Sequence, residues 1–145
     1  MTFVGFNMHA AADAQLQECR REFGRYCARV ELWEPPFRWR SAAWWWHLAL
    51  SPALPAPYSC YSLWSPSLAS RWQQLVQETQ PALVHVDSIV LALYFSAQQS
   101  FPQVLTHHNC ESAMMFRRAE LHPNPFARLY LHGQARKFAR LERDR

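Results

Sequence analysis

Apolar positions change their spacing several times along the chain, and each change marks an element. Thr2-Phe3-Val4-Gly5-Phe6 is a short apolar run that reads as a strand. Ala28-Arg29-Val30-Glu31-Leu32-Trp33 alternates with a period of two, as a half-buried strand does, until Pro35-Pro36 stops it. Between them, Leu16, Cys19 and Phe23 recur at helical spacing within a polar helix over Asp13 to Phe23. Arg38 to Leu50 reads as a short helix, and Ser51 to Ser59, with Pro52, Pro55 and Pro57, as a loop. Ser65-Pro66 supplies an N-cap and a first helical residue. Leu68, Trp72, Leu75 and Val76 then form one buried face that ends near Pro81. Ala82 to Val86 is the next strand, followed by a helix carrying Ile89, Val90, Leu93 and Tyr94 and broken at Phe101-Pro102. Gln103 to Thr106 is a strand, Glu111 to Leu121 a helix, and His122-Pro123-Asn124-Pro125 a turn. The final helix sets Phe126, Leu129, Tyr130, Gly133, Phe138 and Leu141 near one face, with arginines opposite.

Strands alternating with helices predict an α/β fold. The expectation is one Rossmann-like parallel sheet of these four strands, buried on both faces by helices, over a single domain, residues 1–145. A complete doubly wound domain has more strands and a glycine-rich first strand-to-helix turn, so the pattern reads as a domain cut at both ends.

Composition narrows this picture. With 50% hydrophobic and 18% charged residues, the chain is globular rather than disordered. Cys19, Cys27, Cys60 and Cys110 are scattered without a C-x-x-C pair, which argues against a disulfide framework or a zinc site and for free thiols in the cytoplasm. No cofactor and no metal are expected from these residues. Met1 leads straight into a strand, with no signal peptide. The apolar run Ala42 to Leu50 is far shorter than a spanning helix. From Pro125 to Arg145, six basic residues face two acidic ones, which accounts for the whole net charge of +4. The basic excess belongs to one helix, so nucleic acid is not an expected partner.

The candidate chemistry lies in Thr106-His107-His108-Asn109-Cys110-Glu111-Ser112, directly after Val104-Leu105. In an open parallel sheet, the carboxyl ends of the strands bound the ligand crevice. Asp87-Ser88, after Leu83-Val84-His85-Val86, repeats the arrangement one strand earlier. An imidazole both donates and accepts near neutral pH, which suits contacts with a polar ligand. Thr106, His107, His108, Asn109, Asp87, Glu111 and Arg117 are the candidate binding residues. Asp87 and Ser88 also suit capping of the helix that follows, and so do Asn109 and Glu111. Arg117 and Arg118 are adjacent, hence about 100° apart on a helix, and one of the two faces the crevice or an acid. His85, inside a strand, reads as structural. A second feature mixes indoles with arginines: Arg38, Trp39, Arg40, Trp44 and Trp45 would suit the headgroup layer of an anionic membrane, or would form a tryptophan-rich flap over the core.

The set Pro57-Tyr58, Leu83 to Ser88, Pro102 to Ser112, Arg117-Arg118, Tyr130, Gln134-Ala135, Lys137 and Leu141-Glu142-Arg143 resembles the amino-terminal domain of family-4 glycosyltransferases of the GT-B fold. The likeness extends only loosely to Thr2 through Trp33. It implies a half of a two-domain enzyme that moves a sugar, with retention of configuration, from a nucleotide-sugar donor to a glycan or lipid-linked acceptor in polysaccharide biosynthesis, at the inner face of the membrane. It also implies that Thr106, His107 and His108 line the interdomain cleft. The functional imidazole falls on His108, or on His107 in the competing alignment. The family's amino-terminal glycine-rich loop has no match, and the donor-binding carboxyl domain is absent. The chain alone is therefore expected to be inactive. The alternative is a non-catalytic module docking on a membrane or an acidic partner through the aromatic-basic segment and the basic terminal helix.

Overall fold

In the computed structural model of the protein, the residues described are 1–8, 11–36, 41–94 and 101–144. They belong to two units, Met1–Pro36 and Phe37–Arg145. The first is a β–α–β unit. Strand β1 (Thr2–Phe6) lies parallel to β2 (Arg29–Trp33), in register from Thr2↔Arg29 to Phe6↔Trp33, with helix α1 (Asp13–Phe23) between them in sequence. The main chain extends this ladder at both ends, Ala28 N–H donating to Met1 O and Asn7 N–H to Trp33 O, each at 2.8 Å. The Asn7 side chain then ties the following loop. Its Oδ1 accepts the Ala11 N–H at 2.9 Å, and its Nδ2 donates to Glu34 Oε1 at 2.7 Å. Phe23 at the end of α1 stacks on Phe3, ring centroids 4.5 Å apart. The Phe3 ring in turn covers Gly5, where a Cβ would come within 2.9 Å of it. Burial here is thin: every position of β1 and β2 is half-buried or exposed, and α1 has no buried residue.

The second unit carries the core. Helix α2 (Ala42–Leu50) begins at Ser41, whose hydroxyl accepts the Trp44 N–H at 3.1 Å. A 3₁₀ turn (Ser51–Ala53) and a short helix α3 (Tyr58–Ser62) follow. Helix α4 (Pro66–Thr79) starts with Ser65 as N-cap and proline at the first helical position, and ends at Gln80 in the left-handed conformation, φ 40°. Strand β3 (Val84–Val86) pairs in parallel with β4 (Gln103–Leu105), from Val84↔Gln103 to Val86↔Leu105. Between them lies a 3₁₀ helix, Ile89–Tyr94. Helices α5 (Glu111–Leu121) and α6 (Pro125–Asp144) pack as a hairpin with Ala119 and Ala135 fully buried. Asn124 Oδ1 starts α6 by accepting the N–H groups of Phe126 and Ala127 at 2.9 and 3.1 Å. Phe138 of α6, 1% exposed, packs with Ile89 and Ala92, and Val90, Leu105, Met115 and Leu141 close around them.

The four expected strands all form, and the fold is mixed α/β, but five expectations change. The strands hydrogen-bond as two separate two-stranded parallel ladders rather than one sheet. The β3–β4 pair is not buried on both faces: Val84 and Val86 face the core, whereas His85 and Val104 are exposed. On α6, Phe126 and Leu129 are 82% and 73% exposed instead of sharing the buried face. Nine residues at about 100° each turn Leu129 to the side opposite Phe138. The segment after β3 is a 3₁₀ helix rather than an α-helix, and α3 replaces the end of the expected loop. Among the described residues, no helix is long and apolar enough to cross a membrane.

Candidate functional site

The β3–β4 ladder presents its polar residues by alternation. Side chains on neighbouring strands in register point to the same face, and every second residue repeats it. His85 opposes Val104, so continuing the alternation brings Asp87, Thr106 and His108 to the exposed side at the carboxyl ends of the two strands. There the four form one cluster. His85 Nε2 lies 2.6 Å from Thr106 Oγ1. His108 Nε2 lies 3.0 Å from both the main-chain oxygen and Oδ1 of Asp87. The same Asp87 Oδ1 is 3.9 Å from His85 Nε2, so one carboxylate sits beside two imidazoles. The His108 and Asp87 side chains are 59% and 68% exposed. Pairing at that exposure contributes little to folding.

The other candidate residues fall away from this cluster. His107, on the opposite alternation, is exposed and makes no hydrogen bond to a described residue. It does not pack against the sheet. Asn109 is exposed and caps nothing; the N-cap of α5 is Cys110, with no side-chain cap bond. Ser88, not Asp87, caps the helix after β3: its hydroxyl accepts the Val90 N–H at 3.4 Å. Arg117 and Arg118 are exposed on α5, and Arg118 borders a groove of about 470 Å³ beside Leu121, Ala127 and Leu131. Glu111 opens α5, but the carboxylate that serves this helix start is Glu142 of α6. It accepts the Ser112 N–H at 3.0 Å, the Ser112 hydroxyl at 2.5 Å and the Cys110 thiol at 3.7 Å. Burial pushes Glu142 up, but bonds from the Ser112 side chain and main chain, Cys110 and the Glu111 main chain outweigh it and hold its carboxyl below the ordinary value.

Helix α6 also latches the proline-rich loop. Tyr130 Oη lies 2.9 Å from Ser51 Oγ, and Gln134 Oε1 accepts the Tyr58 N–H at 2.7 Å. Lys137 Nζ donates to the carbonyls of Ser51, Pro52 and Leu54 at 2.6, 3.1 and 2.5 Å. Burial lowers the Lys137 ammonium from its usual value. Spacings of three and four place these side chains on one stripe of α6. The Pro57-Tyr58, Tyr130, Gln134 and Lys137 positions of the resemblance therefore meet in one structural network. The basic side chains left exposed on α6 are Arg128, Arg136, Arg140 and Arg143.

Of the aromatic-basic segment, Arg38, Trp39 and Arg40 lie outside the described residues. Trp44 is half-buried and meets Tyr58 edge-on, centroids 6.3 Å apart. Trp45 and Trp46 are 53% and 70% exposed, with exposed Leu50 one turn on from Trp46. The exposed indoles are thus Trp45 and Trp46 rather than Trp44 and Trp45. Consecutive residues about 100° apart make one of three turn inward. Of the thiols, Cys60 is buried and pushed up to about 12 by that burial, which leaves it unreactive.

Chemically, the sheet edge can hold a small polar ligand by hydrogen bonds from two imidazoles, a hydroxyl and a carboxylate. No group of three or more histidine, cysteine or acidic residues suited to a metal occurs among the described residues. Comparison of the chain with protein-family models, with curated proteins and with solved structures finds no match.

Proposed function

We propose that the chain is the acceptor-side half of a retaining glycosyltransferase with the GT-B fold, its parallel strands part of a Rossmann-like domain. The reading rests on one observation. His85, Asp87 and His108, all exposed, converge with half-buried Thr106 at the carboxyl ends of two adjacent parallel strands, where a pairing adds little stability and a ligand crevice belongs. In this reading the partner is a donor-binding carboxyl domain that carries the nucleotide sugar, and the acceptor is a glycan or a lipid-linked sugar at the inner face of the membrane. Holding both reactants together is the core of such catalysis, so the chain alone should not transfer sugar. The test is transfer from a panel of nucleotide sugars by the chain joined to a donor domain. His108→Ala should lower turnover by roughly tenfold or more, as loss of a positioned polar group does, with an unchanged Tm. Equal turnover in both proteins would remove the role from His108.

A second reading follows from Trp45, Trp46 and Leu50, which leave one side of α2 apolar and exposed. In it the chain is a non-catalytic module docking on an anionic membrane or an acidic partner. Trp45→Ala with Trp46→Ala should abolish co-sedimentation with anionic vesicles if this surface is the contact. Unaltered sedimentation would exclude it.

A further inference from the structure

We infer that Asp87 fixes the single proton of the neutral His108 ring on Nε2, so that Nδ1 selects a ligand hydroxyl and rejects a phosphate oxygen. The inference deepens the glycosyltransferase reading and rests on it for the identity of the ligand. Two acceptors, the main-chain oxygen and Oδ1 of Asp87, both lie 3.0 Å from Nε2. A lone pair on Nε2 would face two oxygens at hydrogen-bond distance, whereas an N–H there is shared between them. A neutral imidazole carries one N–H, so Nδ1 keeps its lone pair. Nδ1 has no partner among the described residues. Whatever binds it must donate a hydrogen bond. A sugar hydroxyl does so. The oxygens of a phosphate ester or anhydride at neutral pH carry no hydrogen and would oppose lone pair to lone pair. The local charge acts in the same direction. The Asp87 carboxylate lies near His85 as well as His108. Asp87 acts through His108 and is a positioning residue.

The structure thereby separates two ligand chemistries that an imidazole in this loop would otherwise serve equally. The histidine belongs on the acceptor-sugar side of a cleft, away from the donor's phosphates.

Ring nitrogen signals of the intact chain test this at about pH 8.5, two units above the ordinary histidine pKa. His108 should show its N–H on Nε2 in the large majority of molecules. Asp87→Ala leaves only the neutral main-chain carbonyl, a weaker acceptor than the carboxylate, so the Nδ1–H form should rise roughly threefold or more. Asp87→Asn, which keeps a side-chain carbonyl, should restore part of the difference. Methyl glucoside should then move the His108 signals, and dimethyl phosphate, a phosphate whose anion carries no hydrogen, should not. A majority Nδ1–H form in the wild type, or identical spectra in wild type and Asp87→Ala, overturns the assignment. A ring held as Nε2–H but moved by dimethyl phosphate and not by glucoside overturns the selection. A ring held as Nε2–H and moved by neither leaves the tautomer standing and overturns the glycosyltransferase reading instead.

Discussion

The β1–β2 ladder runs five rungs, from Thr2↔Arg29 to Phe6↔Trp33, and the β3–β4 ladder only three, from Val84↔Gln103 to Val86↔Leu105. The longer ladder buries none of its strand residues, and Phe3 of β1 stacks on Phe23. The shorter one has Val84 and Val86 buried and sits in the unit built around Phe138. A backbone hydrogen bond exchanges with water and nets only about 0.5–1.5 kcal/mol. A fully buried large apolar side chain contributes about 1.5–3 kcal/mol. The number of rungs is thus a poor guide to which ladder is anchored. The polar cluster stands on the anchored one, where one face packs and the other is free to carry His85, Asp87, Thr106 and His108. A binding group gains precision from a rigid support.

The sharpest way to break this comparison is a pair of truncations. Phe138→Ala should cost about 3–5 kcal/mol, the usual loss for a buried phenylalanine. Phe3→Ala, which gives up a half-exposed stack, should cost about 1 kcal/mol. Urea midpoints of the two proteins decide it, and equal losses would mean that the first unit is as firmly built as the second.

Next in size is the helix junction within the second unit. Glu142→Gln removes a charged acceptor from Ser112 and should cost about 1.5 kcal/mol. The sign with pH follows from the lowered carboxyl. Between the folded and unfolded values the unfolded chain binds more protons, so stability rises with pH there. The contribution is complete above the ordinary value of 4.5 and is lost as acid passes the folded value. Midpoints taken from about pH 3 to 6 should therefore slope less in Glu142→Gln than in the wild type. An unchanged slope would show that the α5–α6 junction is not held by this carboxylate.

Two backbone exchanges sharpen the contrast at smaller scale. Gln80→Gly should gain about 1 kcal/mol, because φ 40° is costly for a residue with a Cβ. Gly133→Ala should gain about 0.5–1 kcal/mol, because a methyl group there meets nothing within 4 Å and helix propensity improves. The same change at Gly5 in the first unit should give no gain, since the methyl group would push Phe3 off its stack. A Tm that rises for Gly5→Ala would place the Phe3 ring elsewhere.

Local signals carried most of the elements. The Ser65-Pro66 start, the Gln103 strand and the two terminal helices were legible because capping and periodicity act over a few residues. The site was half legible. Thr106 and His108 after β4, and His85 and Asp87 at the end of β3, stand two residues apart, which is the signature of a shared face. Seeing them as one cluster also needs the register, which sequence spacing does not contain. His85 read as structural for that reason. Glu142 at the start of α5 and Lys137 beneath the loop were illegible, because each partner lies 30 or more residues away. Phe126 and Leu129 misled because an apolar residue type was taken for a buried position, although folded surfaces remain substantially apolar.

Helix α6 comes after every element it fastens. Its contacts span 79 residues to Ser51, 76 to Tyr58 and 86 from Lys137 to Ser51. Synthesis is vectorial, and long-range closures are slow. On the ribosome, both strands of the amino-terminal ladder and the helix between them are present once Trp33 has emerged. In the second unit, Ile89, Ala92 and Leu105 stay available to chaperones until Phe138 arrives to cover them.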